Sequence, residues 1–486
     1  MAGIGEKLTR IFEKDTVTTN LIGFGYSATS TVAPMFVVIL NIVLMQHFLG
    51  FSKLGFVERE LFSCTVLYIF IFALLTASPF NSVLSKYVSD VIYEERYEDI
   101  RPCYYLGLLM NILLSCLLGI PFCLWEHFVG KVDVFYVFIG YCGYISLVLV
   151  FYSMIYLSIA KDYEKISLFF FLGMLEAFLL SLFLRYIMHW GIRESMLFAL
   201  MTGFFLIAFL ESAVVKRYFI NNSNRYRSVL RYFRKYWKLV VSNFFYNLGL
   251  YIHNFVFWTT EMKLVLVKSF VCNQPYDMAT CLAMFTNLSA TVIFITRVEM
   301  HFHDKYKRYS EAVIGGKGAD IDTAKKEMFR QLSAELVNLV RIQFIITTVI
   351  YLACVVLLPR AGISSLTLRI YSCLTAGYFM LFLMYSEIIF LYYFNDLTGA
   401  AITSLSFCLV TFAGSIFSTH LPELWYGMGV VLGAFTGWTV AYIRLRYMER
   451  HLDAHIFCKG SILKPGMGTR PPGKVYDVSA QSGKEA

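Results

Sequence analysis

Long apolar runs, interrupted at intervals by short polar stretches, repeat along the chain from residue 20 to residue 443. An apolar run of about 18 or more residues covers a hydrocarbon core of roughly 30 Å at about 1.5 Å of rise per helical residue. The pattern predicts twelve transmembrane helices, at 20–48, 61–85, 103–124, 134–160, 166–188, 195–215, 239–259, 278–299, 340–359, 367–393, 398–418 and 424–443. Pro79 falls inside the second. A kink is expected there, because proline removes a backbone donor and crowds the preceding turn.

The polar breaks carry a strong charge asymmetry. With the N-terminus inside, inner segments hold 33 of the 42 Lys and Arg residues. This bias predicts a multi-pass protein of the cell (cytoplasmic) membrane with both termini in the cytoplasm. The six helices of 20–215 form an N-lobe and the six of 239–443 a C-lobe. Between them, residues 216–238 (KRYFINNSNRYRSVLRYFRKYWK) hold eight basic residues and no acidic one, and read as a cytoplasmic linker. Such a segment fits a topology anchor on the inner leaflet, and equally a dock for anionic membrane lipids or an acidic partner. Within the C-lobe, the cytoplasmic segment 301–339 is amphipathic, with Met328, Leu332, Leu336 and Leu339 at helical spacing. Residues 1–19 read as an amphipathic surface helix without the apolar core of a cleavable signal. The cytoplasmic tail 444–486 is rich in Gly, Pro and charge from about 459, where disorder is expected.

Composition sharpens the class. Hydrophobic residues make up 58% of the 486, charged residues 15%, and the mean hydropathy is +0.62. A soluble domain is nearer 25% charged. The net charge of +9 is accounted for by basic loops, so no nucleic acid is called for. Most of the eleven cysteines lie in apolar runs, while Cys272 and Cys281 flank a predicted outer loop and could pair.

No catalytic constellation emerges. The chain has no G-x-S-x-G, no H-E-x-x-H and no loop long enough to fold as a catalytic domain. IGGKGAD at 314–320 lacks the spacing of a phosphate-binding loop, and His301 and His303 stand two apart, on different helix faces. The chain therefore reads as a non-enzyme with no metal or cofactor.

Polar residues inside the spans are more informative. At 100° per residue, Asn243, Asn247, Tyr251, Asn254 and Trp258 of the seventh helix fall within roughly 80° of one another, flanked by Tyr246 and His253. Polar groups facing lipid tails are costly, so this stripe must face protein or water. Tyr26, Ser30 and Asn41 share a face of the first helix, Asn81 lies in the second and Asn287 in the eighth. Helices one and two open the first half, and seven and eight the second. Two lobes enclosing a polar cavity would put these residues on its walls. Hydroxyls, amides and aromatic rings without dense charge suit a carbohydrate. Helix-to-helix hydrogen bonds within each bundle are the competing explanation. Glu176 and Glu387 lie mid-span and are candidates for ion coupling; Arg297 and Glu299 are candidates for an inner gate.

Several stretches together carry a resemblance: MAGIG at the N-terminus, SKYVSDVIYEERYEDI after the second helix, FFYNLGLYIHNFVFW in the seventh, YDMATCLAMFTNLSATVIFITRVEMHFHDKYKRY around the eighth, and LYYFNDLTGAAITSLSF. From residue 1 to about 450 the chain resembles the PelG family, inner-membrane transporters of Pel exopolysaccharide. That family belongs with the multidrug/oligosaccharidyl-lipid/polysaccharide exporters. The resemblance implies an all-α, flippase-like fold of twelve helices in two six-helix lobes, and export of a galactosamine-rich polysaccharide for the biofilm matrix. It also implies two kinds of partner, a cytoplasmic glycosyltransferase and cyclic-di-GMP-responsive membrane subunits. The chain departs from the family pattern at His253 and Asn254, where Asp-Lys is more usual.

The expected function is thus export of a Pel-like amino-sugar polymer. A cation- or proton-coupled small-molecule antiporter of the same fold, and a non-transporting scaffold for a glycosyltransferase complex, are the alternatives.

Overall fold

The computed structural model describes residues 17–160, 162–293, 299–360 and 362–459, with side chains described throughout except at 17–32, 287–293, 299–301, 303 and 457–459. The amphipathic N-terminus and the Gly/Pro-rich tail predicted above fall almost wholly outside them.

Among the described residues, the structure has fourteen α-helices and one small hairpin. The first half contains α1 (Val17–Phe48), α2 (Phe56–Tyr93), α3 (Ile100–Phe128), α4 (Val134–Ile159), α5 (Tyr163–Tyr186) and α6 (Ile192–Tyr218). A short helix, α7 (Tyr226–Lys235), follows. The second half contains α8 (Trp237–Phe257), strands β1 (Leu264–Leu266) and β2 (Phe270–Cys272), α9 (Gln274–Ile293), α10 (Glu299–Gly315), α11 (Gly318–Leu357), α12 (Ser365–Tyr393), α13 (Leu397–Ser418) and α14 (Met428–Lys459). Among the described residues, nine helices are long and apolar enough to cross a bilayer. Several overrun the predicted spans, because hydropathy registers only the apolar middle while backbone hydrogen bonds continue into the interface.

The helices form two six-helix lobes, α1–α6 and α8, α9, α11–α14. Their packing repeats six spans later. In the N-lobe, α2 meets α4, α4 meets α6, α5 meets α6 and α1 meets α5. In the C-lobe, α9 meets α12, α12 meets α14, α13 meets α14 and α8 meets α13. Each lobe has its own apolar core, built around residues such as Tyr104, Leu147 and Ile207 in one and Phe257, Tyr371 and Phe390 in the other. The outward faces are apolar too: Leu117 of α3 and Phe344 and Val349 of α11 are exposed. A surface of that kind is solvated by lipid, not water.

Helix ends are written in the sequence. Asp133, Asp162, Ser364 and Asp396 each accept a hydrogen bond from a backbone N–H in the first turn that follows, the standard satisfaction of those orphan donors. Asp162 and Asp396 hold equivalent places in the two lobes, before α5 and α13. Asp396 is clamped by Arg444 of α14 through bonds of 2.7–2.9 Å. Asp162 takes Lys165 Nζ at 2.7 Å and the Tyr218 hydroxyl of α6. Burial alone would raise the Asp162 carboxyl; these hydrogen bonds outweigh it and hold the group below the ordinary carboxylate range.

α2 runs through Pro79 as one helix. The Leu75 carbonyl that Pro79 cannot serve accepts the Ser78 hydroxyl at 3.1 Å, which keeps the turn satisfied. The amphipathic segment 301–339 becomes two helices, α10 and the start of α11, which pack against each other. Lys305 pairs with Glu327 across them, and Lys325 reaches Asp453 on α14. The apolar pattern places 260–277 in a loop, and the structure forms β1–β2 within it. For orientation, the end of the bundle bearing α7 and the 394–396 turn is called the basic end, and the other the hairpin end.

Candidate functional site: the seam between the lobes

Two helix pairs join the lobes: α2 packs along α8, and α1 meets α9 over a smaller contact. These pairings exchange under the six-span repeat. The α2–α8 seam is described along its whole length, and its character changes from one end to the other.

Its basic half is polar. Asn243 of α8 donates to the Ser78 carbonyl of α2 at 2.5 Å, in the proline turn. Asn247, one turn on, donates to the Asn243 carbonyl at 2.8 Å. Ser82 donates to the Leu239 carbonyl at 3.4 Å. Asn81 lies on the same stretch of α2, half-buried, with its amide oxygen enclosed and without a partner among the described residues.

Its hairpin half is aromatic. Tyr68 of α2 stacks on Trp258, ring centroids 5.0 Å apart, and Phe72 stacks on Phe255 at 6.0 Å. Tyr251 packs in the same small cluster with Ile71 and Leu75. Tyr68 also donates its hydroxyl to the Val271 carbonyl at 2.6 Å and accepts the Val271 N–H at 3.2 Å, clamping β2 onto α2.

Asp277 organises this half from behind. Its carboxylate, at the start of α9, accepts the Asn254 amide at 2.7 Å, the Trp258 indole N–H at 3.0 Å and the Asn273 backbone N–H at 2.9 Å. Asn254 thus turns toward α9, and Trp258 is aimed by a buried acid at the ring it meets on α2. The opposite face of α8 belongs to the C-lobe. Ser242 bonds Tyr392 and Ser404, Tyr246 stacks on Tyr385, and His253 meets the Tyr276 hydroxyl at 2.9 Å. Gly249 lies so close to the Phe407 ring that an added Cβ would stand 2.4 Å from it.

The other predicted residues lie apart. Asn41 is buried inside the N-lobe and donates to the Met174 sulfur at 3.4 Å. Glu387 is buried in the C-lobe, accepting the Trp438 indole N–H at 3.0 Å; its second oxygen has no partner among the described residues. Glu176 is half-buried on α5, in the other lobe. The side chains of Tyr26, Ser30, Asn287 and Glu299, and the whole of Arg297, lie outside the described residues. Periodicity missed Tyr68 and Asp277. The signal for Asp277 was present: Asn273 followed by Gln-Pro-Tyr-Asp has the capping residue, early proline and first-turn acid of a helix start.

Comparison with known proteins adds the following. The family described as "PelG: Putative exopolysaccharide Exporter (EPS-E)" matches residues 1–457. No curated protein matches the chain. Among solved structures, an outward-facing multidrug resistance MATE family transporter of the MOP superfamily superimposes with a TM-score of 0.60. The identity is 12%, over 89% of this chain and 96% of that one. A MATE in the straight conformation gives 0.57 at 12% identity, with the same coverage. These likenesses establish the exporter fold.

Proposed function

The chain belongs to the PelG family of exopolysaccharide exporters, and from that premise we propose that it moves a Pel-like amino-sugar polymer across the cytoplasmic membrane. The family match over residues 1–457 carries this reading. The make-up of the α2–α8 seam agrees with it. Amides and hydroxyls supply the donors and acceptors that sugar hydroxyls need, and the paired rings offer faces on which sugars stack. Tyr68, Phe72, Phe255 and Trp258 now cover one another. Parting of the lobes frees those faces for the polymer, so the groups that close the route are also the groups that bind in it. Asn81, Asn243, Asn247 and Tyr251 line this route.

In this reading the basic end faces the cytoplasm, with both termini there. A cytoplasmic glycosyltransferase delivers the polymer at that end, and cyclic-di-GMP-responsive subunits control the assembly. The protein catalyses no covalent change in the polymer. The helical extension formed by α10, the start of α11 and the end of α14 gives partners a surface beyond the membrane.

The test replaces both seam amides. In cells that make the polymer, Asn243→Leu with Asn247→Leu is expected to abolish polymer outside the cell, with wild-type protein level in the membrane and polymer still made inside. Normal release from that strain overturns the assignment of the route. Release from cells lacking the protein altogether overturns the function. A coupled small-molecule antiporter is favoured by one observation, the buried oxygen of Glu387 that has no partner among the described residues. It predicts that Glu387→Gln abolishes ion-driven uptake into vesicles.

A further inference from the structure

The hairpin between α8 and α9 leaves the lobe it comes from. Its Leu266, Phe270 and Cys272 are buried in the apolar core of the N-lobe, although both flanking helices belong to the C-lobe. Three contacts hold it there. Tyr68 of α2 clamps Val271 through both backbone groups. The Ser269 hydroxyl bonds the Glu126 carboxylate at the end of α3. The third contact lies one helical turn before Tyr68, on the same face of α2. There the Cys64 sulfur lies 4.0 Å from the Val271 carbonyl, and Cys272 is the next residue of β2. Both cysteines are buried, at 2% and 4% exposure, and both are free thiols. The Tyr68 clamp fixes the register of β2 on α2, so Cys64 and Cys272 are held in one buried cluster by contacts that do not involve their thiols.

We propose that Cys64 and Cys272 form a reversible disulfide that ties the lobes together at the hairpin end. The bond requires the two sulfurs to close to roughly 2.05 Å. Two thiols give up two protons and two electrons. A protein or small-molecule disulfide in the compartment facing the hairpin accepts both and is reduced to two thiols. The exchange passes through a mixed disulfide on one cysteine, which the thiolate of the other displaces. Access comes from the hairpin itself. Its strands are three residues each, a length of marginal stability. Its turn holds Val267 at φ 45° and Lys268 at φ 69°, a left-handed conformation that β-branched valine resists. A hairpin under that strain lifts locally and exposes Cys272. The charge count puts this end outside the cytoplasm, where disulfides persist. Resting on the exporter reading, the bond has one consequence: a tied seam cannot part, and transport stops until the bond is reduced.

The experiment uses the purified full-length chain. It is oxidised with copper–phenanthroline, its remaining thiols are alkylated, and it is digested for mass spectrometry. A linked peptide pair containing Cys64 and Cys272 is expected, lost on dithiothreitol and absent in Cys64→Ser and Cys272→Ser. Recovery of both cysteines as alkylated single peptides after oxidation overturns the proposal. In vesicles supplied with the polymer, oxidation is expected to reduce transport at least tenfold in the wild type and not in Cys64→Ser. Oxidised protein that is linked yet transports as fast as dithiothreitol-treated protein overturns the lock. Failure of reduced protein to transport polymer counts against the exporter reading alone, because the peptide readout still decides the disulfide.

Discussion

Single carboxylates do much of the structural work at the ends of this bundle. Asp396 caps α13 and grips Arg444 of α14, and it is buried. Removing one partner of a buried pair strands the other, at about 3–5 kcal/mol when both are enclosed. Arg444 keeps some contact with solvent, so Asp396→Ala is expected to cost about 2–3 kcal/mol, read as a lowered unfolding midpoint in detergent. Asp162 makes a different prediction, in pH. Its folded-state pKa is depressed, so its contribution is complete above the unfolded carboxyl value of about 3.9 and is lost as pH falls through the lower folded value. The difference in Tm between wild type and Asp162→Asn should stay level from about pH 7 to 5 and narrow progressively as the pH is lowered from about 4 to 2. A constant difference across that range would remove Asp162 from the account of acid stability. At this scale the sequence shows less of the site than of the caps. Spacing groups Asn243, Asn247, Tyr251 and Trp258 on one side of α8. It does not reveal the Ser78 carbonyl, the Tyr68 ring or the Asp277 carboxylate that they meet, because those pairings join helices distant in the chain.

Helices were the most legible elements, because an apolar run long enough to cross a bilayer leaves a stretch of polypeptide no other way to satisfy its backbone. The hairpin was not legible. Two three-residue strands are too short for alternation to register, and Leu264–Cys272 owes its shape to the lobe on which it lies. Close helix approach was hidden as well. Gly249 in YNLGLY reads as a neutral break in an apolar run, yet it is where α8 lies against the Phe407 ring of α13. Even Gly249→Ala puts a methyl group into that ring. Overpacking costs about 1–3 kcal/mol. The variant should lose that much stability in denaturant titration and recover part of it when Phe407→Leu is added. Wild-type stability in the single variant would show that α8 and α13 separate freely.

Across the whole molecule the twofold repetition of six spans was legible in the count of helices and in the placement of the basic linker, and the packing partners repeat accordingly. What the sequence could not give was the difference between the two halves. Among the described residues, the third helix of the C-lobe is extended: α11 continues for 40 residues where the third helix of the N-lobe has 29. At about 1.5 Å per residue α11 is roughly 60 Å long, about twice the thickness of the hydrocarbon core. Half of it therefore stands clear of the bilayer, braced by α10 and by Asp453 of α14. A rigid rod of that length is a lever arm. A tilt of the C-lobe by about 10° about the membrane plane carries the tip of α11, at Gly318, through about 5 Å. Motion at a buried seam thereby becomes visible in water, where a partner can follow it or resist it. The same rod works in reverse: a modest sideways force on the tip is a large torque on the lobe.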